Sequence, residues 1–559
     1  SSVGLLWLCR SYCAIPRMAL EQIDDELTDP ATARGSTAGQ IRLTALVRTA
    51  ALRFGDRPAT VDIASHRSRS WRELGDRIPR IASGLQSLGI RRAGRVAVLG
   101  FNSDYYFESF FAVPYAGGVI VPVNFRFAPP EIIHVLNECE VSVLLVDKTF
   151  SPMLQALIGK VPSLKKVVYL GDDALPQGCD LSFASLAGAH PCEDALRGGN
   201  DVAGIFYTGG TTGRAKGVML THANLVLNAM GNSRAWTHED SYLHGAPMFH
   251  LANGAGMLST TYVAGRHVFI PAFAPDAFLK AISSEKVSRA MAVPAMITAM
   301  VALPGIKAMD LSSLKQITYG ASPMSETLLK EAMAAFPNAE FMQGYGMTEC
   351  APGITNLEWQ YHLGPHARLR SVGKACPYLE IKIADALDRE VPRGTVGEVL
   401  VRGPNVMKGY FKNPDATSEA LRGGWMHTGD GAYMDEDGFV FLVDRMKDMI
   451  ITGGENVYSA EVENVVMSYP GVAMCAVIGT PDQKLGELVT VIVQPKENAK
   501  IDVNALQEHC RAHIAAYKIP RKVVVQDTLP MSGAGKVLKA ELRKPFWKDS
   551  DTGGLQAKL

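Results

Sequence analysis

Three absences in this chain of 559 residues each close off a class of function. Charge of one sign is not in excess: lysine plus arginine and aspartate plus glutamate both number 56, so no global field recruits nucleic acid or an anionic membrane. A CxxC pair is missing, and nine scattered cysteines, an odd count over this length, speak against a disulfide framework or zinc ribbon and for a reducing compartment. No apolar run reaches the length of a membrane span; residues 110–123, broken by Pro114 and two glycines, read as a buried strand and turn. Two catalytic signatures are missing as well. His238-Glu239 lacks the second histidine of a His-Glu-x-x-His zinc site, and no Walker A spacing occurs. What remains, at 47% hydrophobic and 20% charged, is a chain long enough for several core-bearing subdomains and suited to small-molecule chemistry.

From about residue 41 to residue 441, short β-branched runs (95–99, 141–147, 166–170, 203–207) alternate with amphipathic helical stretches, the pattern of layered α/β structure with largely parallel sheets. The composition changes after Asp444. Strands are expected at 474–479, 488–494 and 522–526 and a helix over 503–515, making a compact α+β domain of about a hundred residues. At the start, residues 1–17 carry Arg10 and Arg17 but no acid and precede Met18, so they are expected to be a leader or upstream translated sequence. At the other end, Ala557-Lys558-Leu559 is a conservative variant of the Ser-Lys-Leu address. The expected location is cytoplasmic, or peroxisomal where a eukaryotic cell reads that address.

The most informative stretch runs from Tyr207 to His222. Gly209, Gly210 and Gly213 can bare their amides, Thr208, Thr211 and Thr212 add hydroxyl donors, and Arg214 and Lys216 add charge, all beside an apolar strand. That is a loop for polyphosphate. A Gly/Thr-rich surface turn accounts for the glycines but not for three threonines and two cations together. Five residues after Gly209 or Gly210 stand Arg214 or Ala215, so a P-loop NTPase is disfavoured.

Further along, Gly344-Tyr345-Gly346-Met347-Thr348-Glu349 combines a flat aromatic, a hydroxyl and a carboxylate, groups able to stack a base, bond a phosphate and hold magnesium; a strand-end turn would contain the same glycines. Gly320-Ala321-Ser322-Pro323 approaches a hydrolase elbow, but Met324 stands where the second glycine is needed, so Ser322 is not read as a nucleophile. In His427-Thr428-Gly429-Asp430 a carboxylate suited to a ribose diol follows a tight turn. Gly453-Gly454 permits close approach by a thin ligand ahead of a helix that Ser459 is placed to cap, and Lys536 stands on a glycine-rich loop just before a helix. A lone Asp, Arg or Lys at any of these places would more often be ordinary surface charge.

Taken in order, these motifs resemble those of the acyl-adenylate-forming (AMP-binding) superfamily over residues 41–547: acyl-CoA synthetases, firefly-type luciferases and the adenylation domains of peptide synthetases. Two departures stand out: Ala215 replaces the usual proline before the loop lysine, and Leu485 stands where some aryl-CoA ligases carry a tunnel tryptophan. The resemblance implies a large N-terminal AMP-binding domain of mostly parallel sheets (18–443), a hinge (444–448) centred on Lys447, a small mobile α+β domain (449–547) and a polar tail (548–559). It implies ATP binding by Thr208, Gly209, Gly210, Thr211, Thr212, Gly213, Lys216, Gly320, Ala321, Ser322, Gly344, Tyr345, Gly346, Thr348, Asp430 and Arg445, with Glu349 as the Mg²⁺ ligand. Lys536, Thr348 and Glu349 become the catalytic residues, and Gly453, Gly454 and Leu485 line a CoA tunnel.

The reaction implied has two steps and no covalent nucleophile: a carboxylate attacks the α-phosphorus of ATP, then CoA thiol attacks the acyl-adenylate. The acyl pocket falls at His250, Leu251, Ala252, Asn253 and Gly254. Residues 247–257 contain no acid, which disfavours an amino acid substrate, and their apolar and small side chains suit an alkyl or aryl carboxylate. His250 reads either as a pocket residue or as a core histidine. The partners expected are a carboxylic acid, ATP and CoA, with no nucleic acid. Three other readings compete: an acyl-AMP ligase loading a carrier protein, a luciferase-like oxygenase, and a non-catalytic nucleotide-binding regulator, which would be expected to have lost Lys536 or Glu349.

Overall fold

The computed structural model describes residues 40–208, 215–322, 324–445, 448–453, 455–531 and 537–547. Among these residues the chain forms four sheets, of nine, eight, four and five strands. No helix among them is long and apolar enough to cross a membrane.

In the eight-stranded sheet the strands Arg95–Leu99, Val119–Pro122 and Val143–Val146 are buried almost along their whole length, as expected of parallel strands covered on both faces. Its order is Gly409–Tyr410, Lys216–Thr221, Val202–Thr208, Val119–Pro122, Arg95–Leu99, Val143–Val146, Lys166–Tyr169, Leu181–Ser182. Val202–Thr208 and Lys216–Thr221 are antiparallel neighbours with Thr208 opposite Lys216, so the strands flanking residues 209–214 form a hairpin pair.

The nine-stranded sheet is parallel through its centre: Pro58–Asp62, Arg266–Phe269, Ser241–His244, Arg289–Ala292, Gln316–Gly320 and Glu340–Gly346 all run the same way, with antiparallel strands only toward its edges. The carboxyl ends of three of these strands carry the segments beginning at residues 245, 320 and 344. Ligands of open parallel sheets bind along that edge.

Two expectations are corrected. Residues 110–115 are not strand; they finish the helix Asp104–Tyr115, and only Val119–Pro122 is extended. Ser103 starts this helix by accepting from the Tyr106 N–H at 3.1 Å, Pro114 lies in its last turn, and all but the final residue are buried, so no polar stripe reveals the helical period. The α/β alternation also stops before residue 441. Glu380–Ala384, Gly397–Arg402, Met426–Met434 and Val440–Arg445 make an antiparallel four-stranded sheet. Its first turn is local chemistry: Asp385 Oδ1 accepts from the N–H groups of Leu387 (2.9 Å) and Arg389 (3.0 Å).

The five-stranded sheet holds the strands expected toward the C-terminus, the first two longer than read and the third one residue shorter: Val472–Asp482 pairs antiparallel with Gly486–Pro495, which pairs parallel with Lys522–Val525. Its core is aliphatic, built on Val457, Val462, Val466, Val477, Val491 and Leu506. The expected helix ends at His513 and is capped by Asp502. Ser459 is not a cap. Tyr458 occupies that position without a side-chain capping bond, while Ser459 is buried in the first turn and its hydroxyl accepts from Lys539 Nζ.

Candidate functional site

The strand Glu340–Gly346 carries Tyr345 to the carboxyl edge of the nine-stranded sheet, where its hydroxyl donates to Asp430 Oδ2 at 2.7 Å. Two motifs far apart in sequence meet there. Burial, then the charge of Asp430, pushes the Tyr345 phenol well above its usual pKa, so it remains a proton donor. Asp430 in turn is held by its own turn. Gly429 has φ +71°, a conformation that glycine adopts without strain, and its N–H donates to Glu398 Oε1 at 2.8 Å. Glu398 Oε2 lies 3.0 Å from His427 Nδ1, and Thr428 Oγ1 accepts from the Asp430 N–H at 3.1 Å while donating to the Val399 carbonyl at 2.9 Å. Across the antiparallel pair, Asp430 stands opposite Arg445.

Gly320 and Gly344 are register partners on adjacent parallel strands. A Cβ at Gly320 would lie 2.1 Å from the Gly344 carbonyl oxygen, so the close approach of the two chains excludes any side chain. Ala321 follows at φ +65° and Ser322 is half-buried. The two segments read as flanking a base are therefore side by side.

Thr348 and Glu349 form the single turn Thr348–Cys350 that follows. Glu349 is 7% exposed, and its Oε1 accepts from the Tyr410 hydroxyl at 2.8 Å. The ammonium of Lys216 sits 5.0 Å from the centroid of the same tyrosine ring. Tyr410 thus joins the candidate metal ligand to the lysine that follows the candidate phosphate loop. Sequence reasoning missed both Tyr410 and Glu398. The usable signal for the first was an aromatic pair after Gly409 between Lys408 and Lys412; a lone glutamate such as Glu398 carries none.

His250 is half-buried and is not a core histidine: it is the N-cap of the helix Leu251–Tyr262, its Nδ1 accepting from the Ala252 N–H at 3.4 Å. Leu251, Asn253 and Gly254 are buried behind it and Ala252 is half-buried. This helix follows Ser241–His244, so the candidate acyl segment shares the carboxyl edge with residues 320–322 and 344–346. In the five-stranded sheet, the Gly453 N–H donates to the Leu485 carbonyl at 2.8 Å, with Gly453 at φ +59°, and the Leu485 N–H donates to Asp482 Oδ1 at 2.8 Å. The two described residues of the candidate tunnel are in contact.

Thr208 and Lys216 are half-buried ends of their strands. Gly209, Gly210, Thr211, Thr212, Gly213, Lys447, Gly454 and Lys536, with both chain termini, lie outside the described residues, and Arg445 is described by its backbone. Among the described residues no cluster of three or more His, Cys, Asp or Glu could hold a metal by itself.

The model for the AMP-binding enzyme family matches residues 47–411, and the model for the AMP-binding enzyme C-terminal domain matches residues 461–536. A feruloyl-CoA synthase from an Amycolatopsis species is 39% identical over 484 residues, covering 85% of this chain and 94% of that protein. The fatty acid–[acyl-carrier-protein] ligase ScoC of Streptomyces coeruleorubidus is 34% identical over 91% of this chain and 98% of its own length. Among solved structures, the anthranilate CoA ligase AuaEII in complex with anthranoyl-AMP superposes with a TM-score of 0.83 at 26% identity, covering 91% of this chain and 97% of that one. With the motifs in order, the fold matched and both family models satisfied, the chain belongs to the AMP-binding enzyme family.

Proposed function

We propose that the protein is an ATP-dependent acid:CoA ligase that activates an aryl or fatty carboxylic acid as acyl-AMP and passes the acyl group to CoA. The observation that carries this reading is the hydrogen bond between Tyr345 and Asp430, which ties the candidate base-stacking segment to the candidate ribose carboxylate. An aryl acid is the first choice because the feruloyl-CoA synthase is a relative at 39% identity.

In the first step the acid's carboxylate oxygen bonds to the α-phosphorus and pyrophosphate leaves. Lys536 and Thr348 stabilise charge developing at the α-phosphate, and residues 208–216 orient the departing phosphates. Glu349 fits magnesium: it is a buried hard-oxygen ligand oriented by Tyr410, and a single carboxylate suits an ion that completes its shell with phosphate oxygens and water. The bound ion would neutralise charge on the phosphates. In the second step the CoA sulfur bonds to the acyl carbon and AMP leaves, with Gly453, Gly454 and Leu485 lining the approach. Residues 449–547 act as a body that turns about Lys447 between the steps. The cytoplasm is the proposed location.

A second reading has the acyl-adenylate loaded onto a carrier protein, and the likeness to ScoC favours it over a luciferase-like oxygenase or a non-catalytic regulator. A panel of aryl and alkyl acids assayed for AMP and pyrophosphate, with CoA, with a phosphopantetheinylated carrier protein, and with neither, tests both. Thioester on CoA supports the first reading and thioester on the carrier alone the second. Absence of acid-dependent pyrophosphate under every condition removes both.

A further inference from the structure

Asn102 lies in the short connection between the strand Arg95–Leu99 of the eight-stranded sheet and the helix Asp104–Tyr115, and is 3% exposed. Its side chain is engaged entirely with the other large sheet. The amide nitrogen is within hydrogen-bond distance of the carbonyls of His244 (3.0 Å), Ala246 (2.9 Å) and Ile270 (3.3 Å), and Oδ1 accepts from the Met248 N–H at 2.8 Å. Its backbone N–H donates to the Pro271 carbonyl at 3.0 Å. The neighbouring residues are fixed on their own side: the Phe101 N–H donates to Asp147 Oδ2 at 2.7 Å, and Ser103 caps the helix. One tight loop is thereby fastened to both sheets.

The segment it grips leads directly into His250 and the helix Leu251–Tyr262. The Ala246 carbonyl accepts a second hydrogen bond, at 2.8 Å, from Asn253 Nδ2 on that helix. Two buried amides therefore share one carbonyl, one from across the sheets and one from the candidate pocket itself. Hydrogen bonds of this kind are directional, so they set where the loop stands, whereas apolar packing would only exclude water from it.

We propose that Asn102 is a positioning residue for the acid-binding end of the site: it fixes the height of residues 245–250, and so of His250 and the first turn of its helix, above the nine-stranded sheet. This role rests on the reading of residues 250–254 as acyl pocket. It acts through backbone groups and touches no substrate.

Steady-state constants for acid and for ATP in Asn102→Ala, Asn102→Asp and Ala252→Phe, all in the full chain, test it. Aspartate fills the same space and still accepts from Met248, but with no hydrogen when ionised and only one when neutral it cannot replace the amide's two hydrogens toward the three carbonyls. The acid KM is expected to rise about tenfold or more in both Asn102 variants while the ATP KM stays within about twofold, the loss anticipated for buried acceptors deprived of their donor. Ala252→Phe is expected to change the order of preference among acids. A space-filling role predicts wild-type constants for Asn102→Asp; that result, equal rises in both KM values, or failure of both Asn102 variants to yield folded protein would overturn the proposal. An unchanged acid profile in Ala252→Phe overturns the pocket reading and the positioning role with it. A changed profile there beside an unchanged acid KM in Asn102→Asp overturns the positioning role alone.

Discussion

Between residues 40 and 445 the interior takes in charge and hydrogen-bonding groups: Asp104 and Glu108 are fully buried against Arg67, Arg69 and Arg77, and His244 Nε2 lies 3.0 Å from His267 Nδ1 with both rings out of reach of solvent. Between residues 450 and 547 the core of the described residues is largely valine, isoleucine and leucine, with Glu487 and Arg543 as its buried charged groups. Buried ion pairs are costly to desolvate, so their use in the larger region is better understood as fixing position than as adding stability. On the proposed reading the larger region must hold Tyr345, Asp430, Glu349 and His250 in one arrangement. The smaller need then only be a coherent body that carries Gly453, Leu485 and Lys536, and aliphatic packing suffices for that.

The sharpest way to break this contrast is Lys536→Ala. It removes one charge from the small body while leaving the fixed arrangement intact, so adenylation is expected to fall about a hundred- to a thousandfold, the effect of losing one preorganised donor. Thiolysis of supplied acyl-AMP should largely survive. Equal loss of both half-reactions, measured by pyrophosphate exchange and by acyl-CoA release, would place Lys536 elsewhere in the cycle.

Next in size is Asp430→Ala, which removes the anchor on the rigid side. A hydrogen bond to a charged group is worth about 1.5–3 kcal/mol, so the ATP KM should rise roughly ten- to a hundredfold with the acid KM little changed. Isothermal titration with ATP in the variant checks it, and an unaltered ATP affinity removes Asp430 from the nucleotide site. Gly453→Ala is smaller. The added methyl meets Leu485 Cδ2 at 3.3 Å at a backbone position with φ +59°, so thioester formation should slow several-fold while pyrophosphate exchange continues. Equal slowing of both would mean the smaller region had lost its fold.

The smallest effect separates the two cores by pH. Burial holds His222 and His244 down to about 3, and burial then the neighbouring His244 holds His267 well below its ordinary value. Below about pH 6.5 the unfolded chain takes up protons that these folded histidines refuse, so stability is full above that pH and falls as pH drops toward 3. Each such histidine contributes a slope of up to about 1.4 kcal/mol per pH unit. Calorimetry from pH 7 to pH 5 should show the larger region's transition falling by several degrees. Among its described residues the smaller region buries no histidine, His509 being half-buried and His513 exposed, so its transition is the internal reference for this effect. A larger-region transition that ignores pH would show that these rings are not held neutral.

Much of the frame was legible because parallel strands buried on both faces must be short apolar runs: residues 95–99 and 166–170 coincide with observed strands to within a residue. Where burial runs all the way round, the same signal misleads, and residues 110–115 at the end of the helix Asp104–Tyr115 read as strand. The motifs announced the candidate site through unusual combinations of small, hydroxyl and charged residues. What they could not announce were the supports. Tyr410, Glu398 and Asn102 acquire their roles only when tertiary closure brings Glu349, Gly429 and the 245–250 loop to them, across separations of 61, 31 and more than 140 residues. Ser459 shows the converse, a local capping signal overridden by a lysine from another helix.

Where Asp430 takes a ribose on both carboxylate oxygens, as the proposed reading has it, its bond with Tyr345 makes nucleotide entry an exchange. The phenol gives up Oδ2, and two neighbouring hydroxyls replace that bond and add another. A 2′-deoxyribose returns at most one for the one it breaks. On that reading the tyrosine is an internal competitor that sets a higher threshold for a sugar lacking a vicinal diol.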